Sequence, residues 1–396
     1  MTVMEREAMS PAQVRLSATL LASSLVGRLP QAMSSLALLR VVLDAGGGYA
    51  FAGALTSIYI LAGTVGAPLI SRVIDRTGRA RQTLLGGAAA SGLAFAGIAL
   101  TAPGHPVAAI ACTLIAGAAA PPLEPVLRSL WPRIMRTGGQ LTRAFSADAA
   151  VQELIFVLGP LASAISIAVL GAPGAVAVMG VIGLAGTALF CSHAILERTA
   201  PAAHTGRRGS PMRLPAIRTL VLAQVAAGAP VGVLAITATA HATSAGIAAL
   251  SGWGLALNGI GAFAGALYVT RRPFRAAPER LVRPALLLVA LLYAPTAWVQ
   301  AAPAYWLAAA FVSGVCLAPY LTLVFRATET SAPAALATEA NAWVVSAFSV
   351  GIGAGTSLAG LLTDHWGAGG STVAVLAASA VAALGALKAR LHTITA

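Results

Sequence analysis

The stretch Ser71-Arg72-Val73-Ile74-Asp75-Arg76-Thr77-Gly78-Arg79-Ala80-Arg81 decides how the rest of the chain is read, because it sets an arginine-rich turn between two long apolar runs. The run before it, Tyr49 to Ile70, and the run after it, Gln82 to Ala102, are each long enough to cross a bilayer. Crossing takes roughly 20 apolar residues in a helix. The turn is therefore expected to join two membrane spans.

Composition extends this reading to the whole chain. With 58% hydrophobic and 9% charged residues and a mean hydropathy of +0.84, a water-soluble domain would hold far more apolar surface than it could bury, whereas lipid-facing helices must stay apolar. The runs are continuous in Ala, Leu, Val and Gly rather than alternating every second residue, so they predict helices and not a β-barrel. Twelve spans are expected, near 16–39, 49–70, 82–102, 106–127, 144–169, 174–195, 217–240, 246–269, 284–302, 304–325, 338–362 and 370–387. Glu5 and Glu7 precede the first run and no small-residue cleavage site ends it, so it is read as a retained span rather than a signal peptide.

A net charge of +13 in a soluble protein would suggest nucleic acid. On the twelve-span reading, however, the arginines gather on one side, as Arg72, Arg76, Arg79 and Arg81 after the second span and Arg128, Arg133, Arg136 and Arg143 after the fourth show. Only Arg40 falls on the opposite side, and only Arg28 lies inside a span. This asymmetry makes the arginine-bearing side cytoplasmic, with both termini on it, and argues against nucleic acid as a partner. Membrane lipids are the expected surroundings.

The two halves repeat. Pro30 matches Pro230 at an offset of 200, Gly66, Ser71, Arg72 and Arg76 match Gly265, Thr270, Arg271 and Arg275 at 199, and Gly117 and Pro122 match Gly314 and Pro319 at 197. In order, and at half the chain length, these anchors argue for duplication. The expected organisation is an N-terminal six-helix bundle over 1–196, a polar cytoplasmic linker over 197–215 and a C-terminal six-helix bundle over 216–396. Pro121, Pro122 and Pro125 are expected to bend the fourth span.

Charges within the spans need a reason, since one near the bilayer centre costs about 2.5 to 3.5 kcal/mol even on the mildest scale. Arg28 lies 13 residues after Arg15 and 12 before Arg40, close to the midplane. Ser24, Arg28, Gln31 and Ser35 share one helical face, a polar stripe that should meet protein or water. Glu153 lies 10 residues beyond Arg143, at a comparable depth, and is the expected partner of Arg28. The pair would act either as a protonation switch in which proton and substrate compete, or as a permanent structural ion pair. Glu124 is four residues before Arg128 and either pairs with it or binds a cation or proton in a cavity. Asp148 and Glu339 read as helix N-terminal acids favoured by the dipole. In the second half the polar candidates are Gln224, Asn258, Tyr320 and Asn341, each of which could equally satisfy a neighbour.

Cys112, Cys191 and Cys316 show no paired or metal-type spacing, and the six histidines are scattered. No metal or cofactor is expected. The absence of a phosphate-binding glycine loop ending in Lys-Ser or Lys-Thr argues against direct ATP use, and no clustered acids or histidines point to an enzyme.

Asp75, Arg76, Gly78 and Arg79 resemble the loop between helices 2 and 3 of major facilitator superfamily transporters, Gly-x-Leu-Ala-Asp-Arg-x-Gly-Arg-Lys, with Ser71 at the first glycine and Ala80 at the lysine. The resemblance implies an all-α integral membrane protein of twelve helices in two pseudo-symmetric bundles, working by alternating access in a bacterial plasma membrane, with helices 1, 4, 7 and 10 lining the cavity. It implies a cytoplasmic gate in which Asp75 accepts from a helix N-terminus and pairs with Arg128, Arg76 and Arg79 brace the turn, and Gly78 supplies its tight backbone. It also implies a small-molecule substrate and protons as partners, and a monomer. The binding set would be Arg28, Gln31, Glu124, Glu153, Gln224, Asn258 and Tyr320. Export of small amphipathic compounds is the expected activity, although helix 5 keeps only the central Gly159-Pro160 of the exporters' Gly-x-x-x-Gly-Pro-x-x-Gly-Gly. Proton-coupled import of a sugar, amino acid or organic anion is the alternative.

Overall fold

The structure is a computed structural model, and it describes residues 9–102, 104–135, 138–193, 195–196, 211–271, 274, 276–298, 302–333 and 336–388. Every regular element among them is helical. In chain order these are α1 (Pro11–Leu43), α2 (Tyr49–Thr77), α3 (Ala80–Thr101), α4 (Pro106–Ala118), α5 (Leu123–Ile134), α6 (Gly138–Cys191), α7 (Pro215–Ala245), α8 (Ala249–Arg271), α9 (Pro278–Tyr293), α10 (Pro303–Val315), α11 (Leu317–Ser331) and α12 (Ala337–Lys388).

Helices and passes do not correspond one to one. α6 and α12 run for 54 and 52 residues, roughly 80 Å if straight and far beyond a hydrocarbon core of about 30 Å. Each folds back at a glycine, Gly171 (φ 72°) in α6 and Gly367 (φ 56°) in α12, which takes a left-handed conformation that costs other residues dearly. Each therefore makes two passes. Conversely, α4 and α5 form one pass interrupted at residues 119–122, where Pro121 and Pro122 remove amide donors and disfavour helix before them. The bend expected from these prolines is a break in the helix. α10 and α11 make one pass interrupted at Cys316, where Pro319, the match of Pro122 in the repeat, has no amide hydrogen for the Val315 carbonyl. The protein is thus a multi-pass membrane protein of twelve crossings, as the sequence predicts, although α1 and α2 extend past their predicted spans to Pro11–Leu43 and Tyr49–Thr77.

The chain divides into two compact units, Met1–Ser34 with Ala62–His204, and Ser35–Leu61 with Thr205–Ala396. In the first unit Leu20, Leu84, Leu127, Leu130, Trp131 and Phe190 form a buried core. In the second, Leu234, Leu286, Val289, Tyr293, Trp306 and Tyr320 do the same. The repeat anchors have equivalent packing roles. A Cβ on Gly66 would overlap the Ala118 carbonyl in the first unit, and one on Gly265 would overlap the Val315 carbonyl in the second. Most of the linker expected at 197–215 lies outside the described residues, and Pro211–Arg213 form a 3-10 turn ahead of α7.

Candidate functional site

Glycine builds the site before charge does. Gly27 of α1 lies against Gly186 and Thr187 of α6, where a Cβ on Gly186 would overlap the Gly27 backbone, and Gly159 of the other α6 pass leaves no room for a Cβ beside Ala32. Small residues let these backbones approach closely. Arg28 therefore projects into a crowded interior and is only 6% exposed.

Four charged side chains close a ring there. Arg28 Nη2 donates to Glu124 Oε2 at 2.7 Å and Arg28 Nη1 to Asp148 Oδ1 at 3.3 Å. Arg128 Nη2 reaches Glu124 Oε1 at 2.7 Å, and Arg128 Nε donates to Asp148 Oδ2 at 2.8 Å. Each carboxylate thus bridges both guanidinium groups. Arg28 Nη2 also donates to the Gln152 side-chain carbonyl. Two positive and two negative charges cancel, which meets the condition under which buried ions are tolerated: paired and hydrogen-bonded. The ring is asymmetric in exposure. Asp148 is 1% and Glu124 32% exposed, so one carboxylate is sealed in while the other reaches the surface of the protein.

The sequence points to Arg28 and Glu124 as binding residues, but it gives Arg128 to the cytoplasmic gate and reads Asp148 as a helix N-terminal acid. α6 begins at Gly138, so Asp148 lies almost three turns inside it and is no N-terminal dipole acid; it is the buried carboxylate that joins the two arginines. A usable signal was present, since Asp148, Gln152 and Gly159 lie on one helical face (i, i+4, i+11) and Gly159 marks that face as the one turned to α1. The expected i, i+4 pairing of Glu124 with Arg128 is present. The side chains of Glu153, Asp75 and Glu339 lie outside the described residues, and with them the pairings expected of Glu153 with Arg28 and of Asp75 with Arg128. Of the polar stripe, Ser24 and Arg28 are buried and Ser35 half-buried, but Gln31 is exposed.

The gate residues differ in environment. Gly78 has a φ of 67° and its N–H bonds the Ile74 carbonyl at 2.8 Å, closing α2, while Arg76 and Arg79 are exposed. In the second unit, Asn258 Nδ2 donates to Ser313 Oγ at 2.9 Å, the Ala310 carbonyl at 3.2 Å and Tyr293 Oη at 3.3 Å, which makes it a link between α8, α9 and α10. Gln224 and Tyr320 are fully buried, and among the described residues neither the Gln224 amide nor the Tyr320 hydroxyl has a hydrogen-bond partner.

Twelve apolar crossings with a neutral ring of buried ions held between small-residue contacts make a polytopic membrane protein. The family model for the Major Facilitator Superfamily matches residues 20–342. The chain belongs to that superfamily. Among solved structures it is similar in fold to a mutant of the nucleoside transporter NupG (12% identity, 94% of this chain and 98% of that one, TM-score 0.72). It is also similar to the POT family transporter PepTSo (11% identity, 96% and 97%, TM-score 0.71) and to the human organic anion transporter MFSD10 (15% identity, 96% and 100%, TM-score 0.63). No curated protein sequence matches it significantly.

Proposed function

We propose that this transporter is proton-coupled and exports small amphipathic organic compounds by alternating access. The observation that supports the reading is the ring formed by Arg28, Glu124, Arg128 and Asp148. Protonating Glu124, its accessible carboxylate, would leave the ring with one uncompensated positive charge and release a guanidinium hydrogen bond. A neutral cluster then becomes a cationic one, and the cost of that change can be linked to which side of the membrane the cavity faces. Arg28 already serves two carboxylates and an amide, so an anionic solute would have to displace one of them. Neutral or cationic amphipaths meet no such competition. The gate of Asp75, Arg76, Gly78, Arg79 and Arg128 belongs to the same proposal, as do the two six-helix bundles of 1–196 and 216–396, the bacterial plasma membrane and the monomeric state.

Proteoliposomes loaded with fluorescent amphipathic dyes test the reading. An imposed pH gradient should drive dye against its own gradient in the export direction, and Glu124→Gln should abolish that drive while dye exchange at equal pH continues. Dye movement indifferent to pH in the unaltered protein would remove proton coupling. Uptake of labelled sugars, amino acids or organic anions under the same gradient would instead establish import.

A further inference from the structure

The end of α2 remote from the Asp75 turn carries a second built contact. Asp364, in α12, accepts from the backbone N–H groups of Tyr49 at 2.5 Å and Ala50 at 2.8 Å, the first two residues of α2. These are among the helix donors that lack an intrahelical acceptor, and a carboxylate is the ligand the helix dipole favours there. All the residues concerned lie within the second compact unit. The closest approaches below the carboxylate are made by glycines. A Cβ on Gly48 would overlap Asp364, one on Gly53 would come within 2.7 Å of the Thr356 carbonyl, and one on Gly360 would overlap the Tyr49 carbonyl. Further down, Ser57 Oγ donates to the Gly353 carbonyl at 2.7 Å and Ser357 Oγ donates to Ser57 Oγ at 2.8 Å. Small residues and hydroxyls thus hold α2 and α12 in close contact along this seam.

The sequence around Asp364 echoes the cytoplasmic turn. Asp364-His365-Trp366-Gly367 repeats the spacing of Asp75-Arg76-Thr77-Gly78, and both glycines are left-handed, at φ 56° and 67°. The two turns stand between the second and third helices of the first and last three-helix groups, which inverted repeats place on opposite faces of the membrane.

We infer that Asp364 is a gating residue: it latches the outer end of α2 to α12 while the extracellular side is shut, and it lets go when that side opens. The inference rests on the alternating-access reading of the proposed function, but not on the ring or on proton coupling. Electrostatic capping of this kind shifts a two-state population by about two- to five-fold.

The test is solvent access to the seam in detergent-solubilised full-length protein. Ser57→Cys serves as the reporter, with Cys112 and Cys316 replaced by alanine and buried Cys191 kept as an internal control. A maleimide should label position 57 about two- to five-fold faster when Asp364 is changed to isosteric Asn or to Ala, while Cys191 stays protected. Unchanged labelling at position 57, or a gain shared by Cys191 that marks general loosening, overturns the inference. No substrate is needed, so the result stands whatever becomes of the export reading.

Discussion

At the scale of single residues, burial ranks the ring's members. Asp148 is sealed in and holds both arginines, so Asp148→Asn leaves a buried guanidinium with one carboxylate fewer and should cost about 3 kcal/mol, the lower end for breaking a buried ion pair. Glu124 is a third exposed and water can replace part of what it supplies, so Glu124→Gln should cost under about 1 kcal/mol. Melting curves of the purified protein should therefore fall much further for Asp148→Asn than for Glu124→Gln. Transport should respond the other way if Glu124 is the proton acceptor, with pH drive lost in a protein that melts almost normally. Arg28 was legible in the sequence as a charge where lipid forbids one. Its partners were only half legible, because depth along a helix follows from counting residues, but rotation about the axis relative to neighbours does not.

At the scale of helices, small residues set how closely the passes approach. Gly66 and Gly265 each lie against a carbonyl of the pass interrupted at Ala119 or Cys316, and the atom in the way is rigid backbone. Gly66→Val and Gly265→Val should each destabilise by about 3 kcal/mol, the upper range for overpacking, whereas Gly86→Val, with open space around it, should be neutral. Fluorescence-detected size-exclusion after graded heating would separate the three. Equal losses for the first two would show that duplicated positions still carry duplicated roles. Helix ends are least legible where a charge run follows an apolar one, since the helices continue through Arg72, Arg128 and Arg326 to Thr77, Ile134 and Ser331.

At the scale of the whole molecule, the arginine asymmetry predicts sidedness. In a background lacking Cys112, Cys191 and Cys316, Arg79→Cys should react with impermeant maleimide only after the membrane is opened, and Gly104→Cys should react in intact cells. Arg79 and Gly104 are both exposed, and α3 with the short turn after it separates them, so equal reactivity would contradict a crossing there. Solved structures that share this fold at 10 to 15% identity include transporters of different cargo, so the fold by itself does not select a cargo.

The sequence by itself determined that this chain crosses a membrane twelve times as helices and that one guanidinium had to be housed within a span. Those properties follow from hydropathy and charge, which each residue carries with it. Only the tertiary structure decided that Glu124, Asp148 and Gln152 together meet Arg28, that the ring closes through Arg128, and that Asp364 caps α2. Those pairings depend on the rotation and separation of packed helices, which are set by contacts among glycines far apart in the chain.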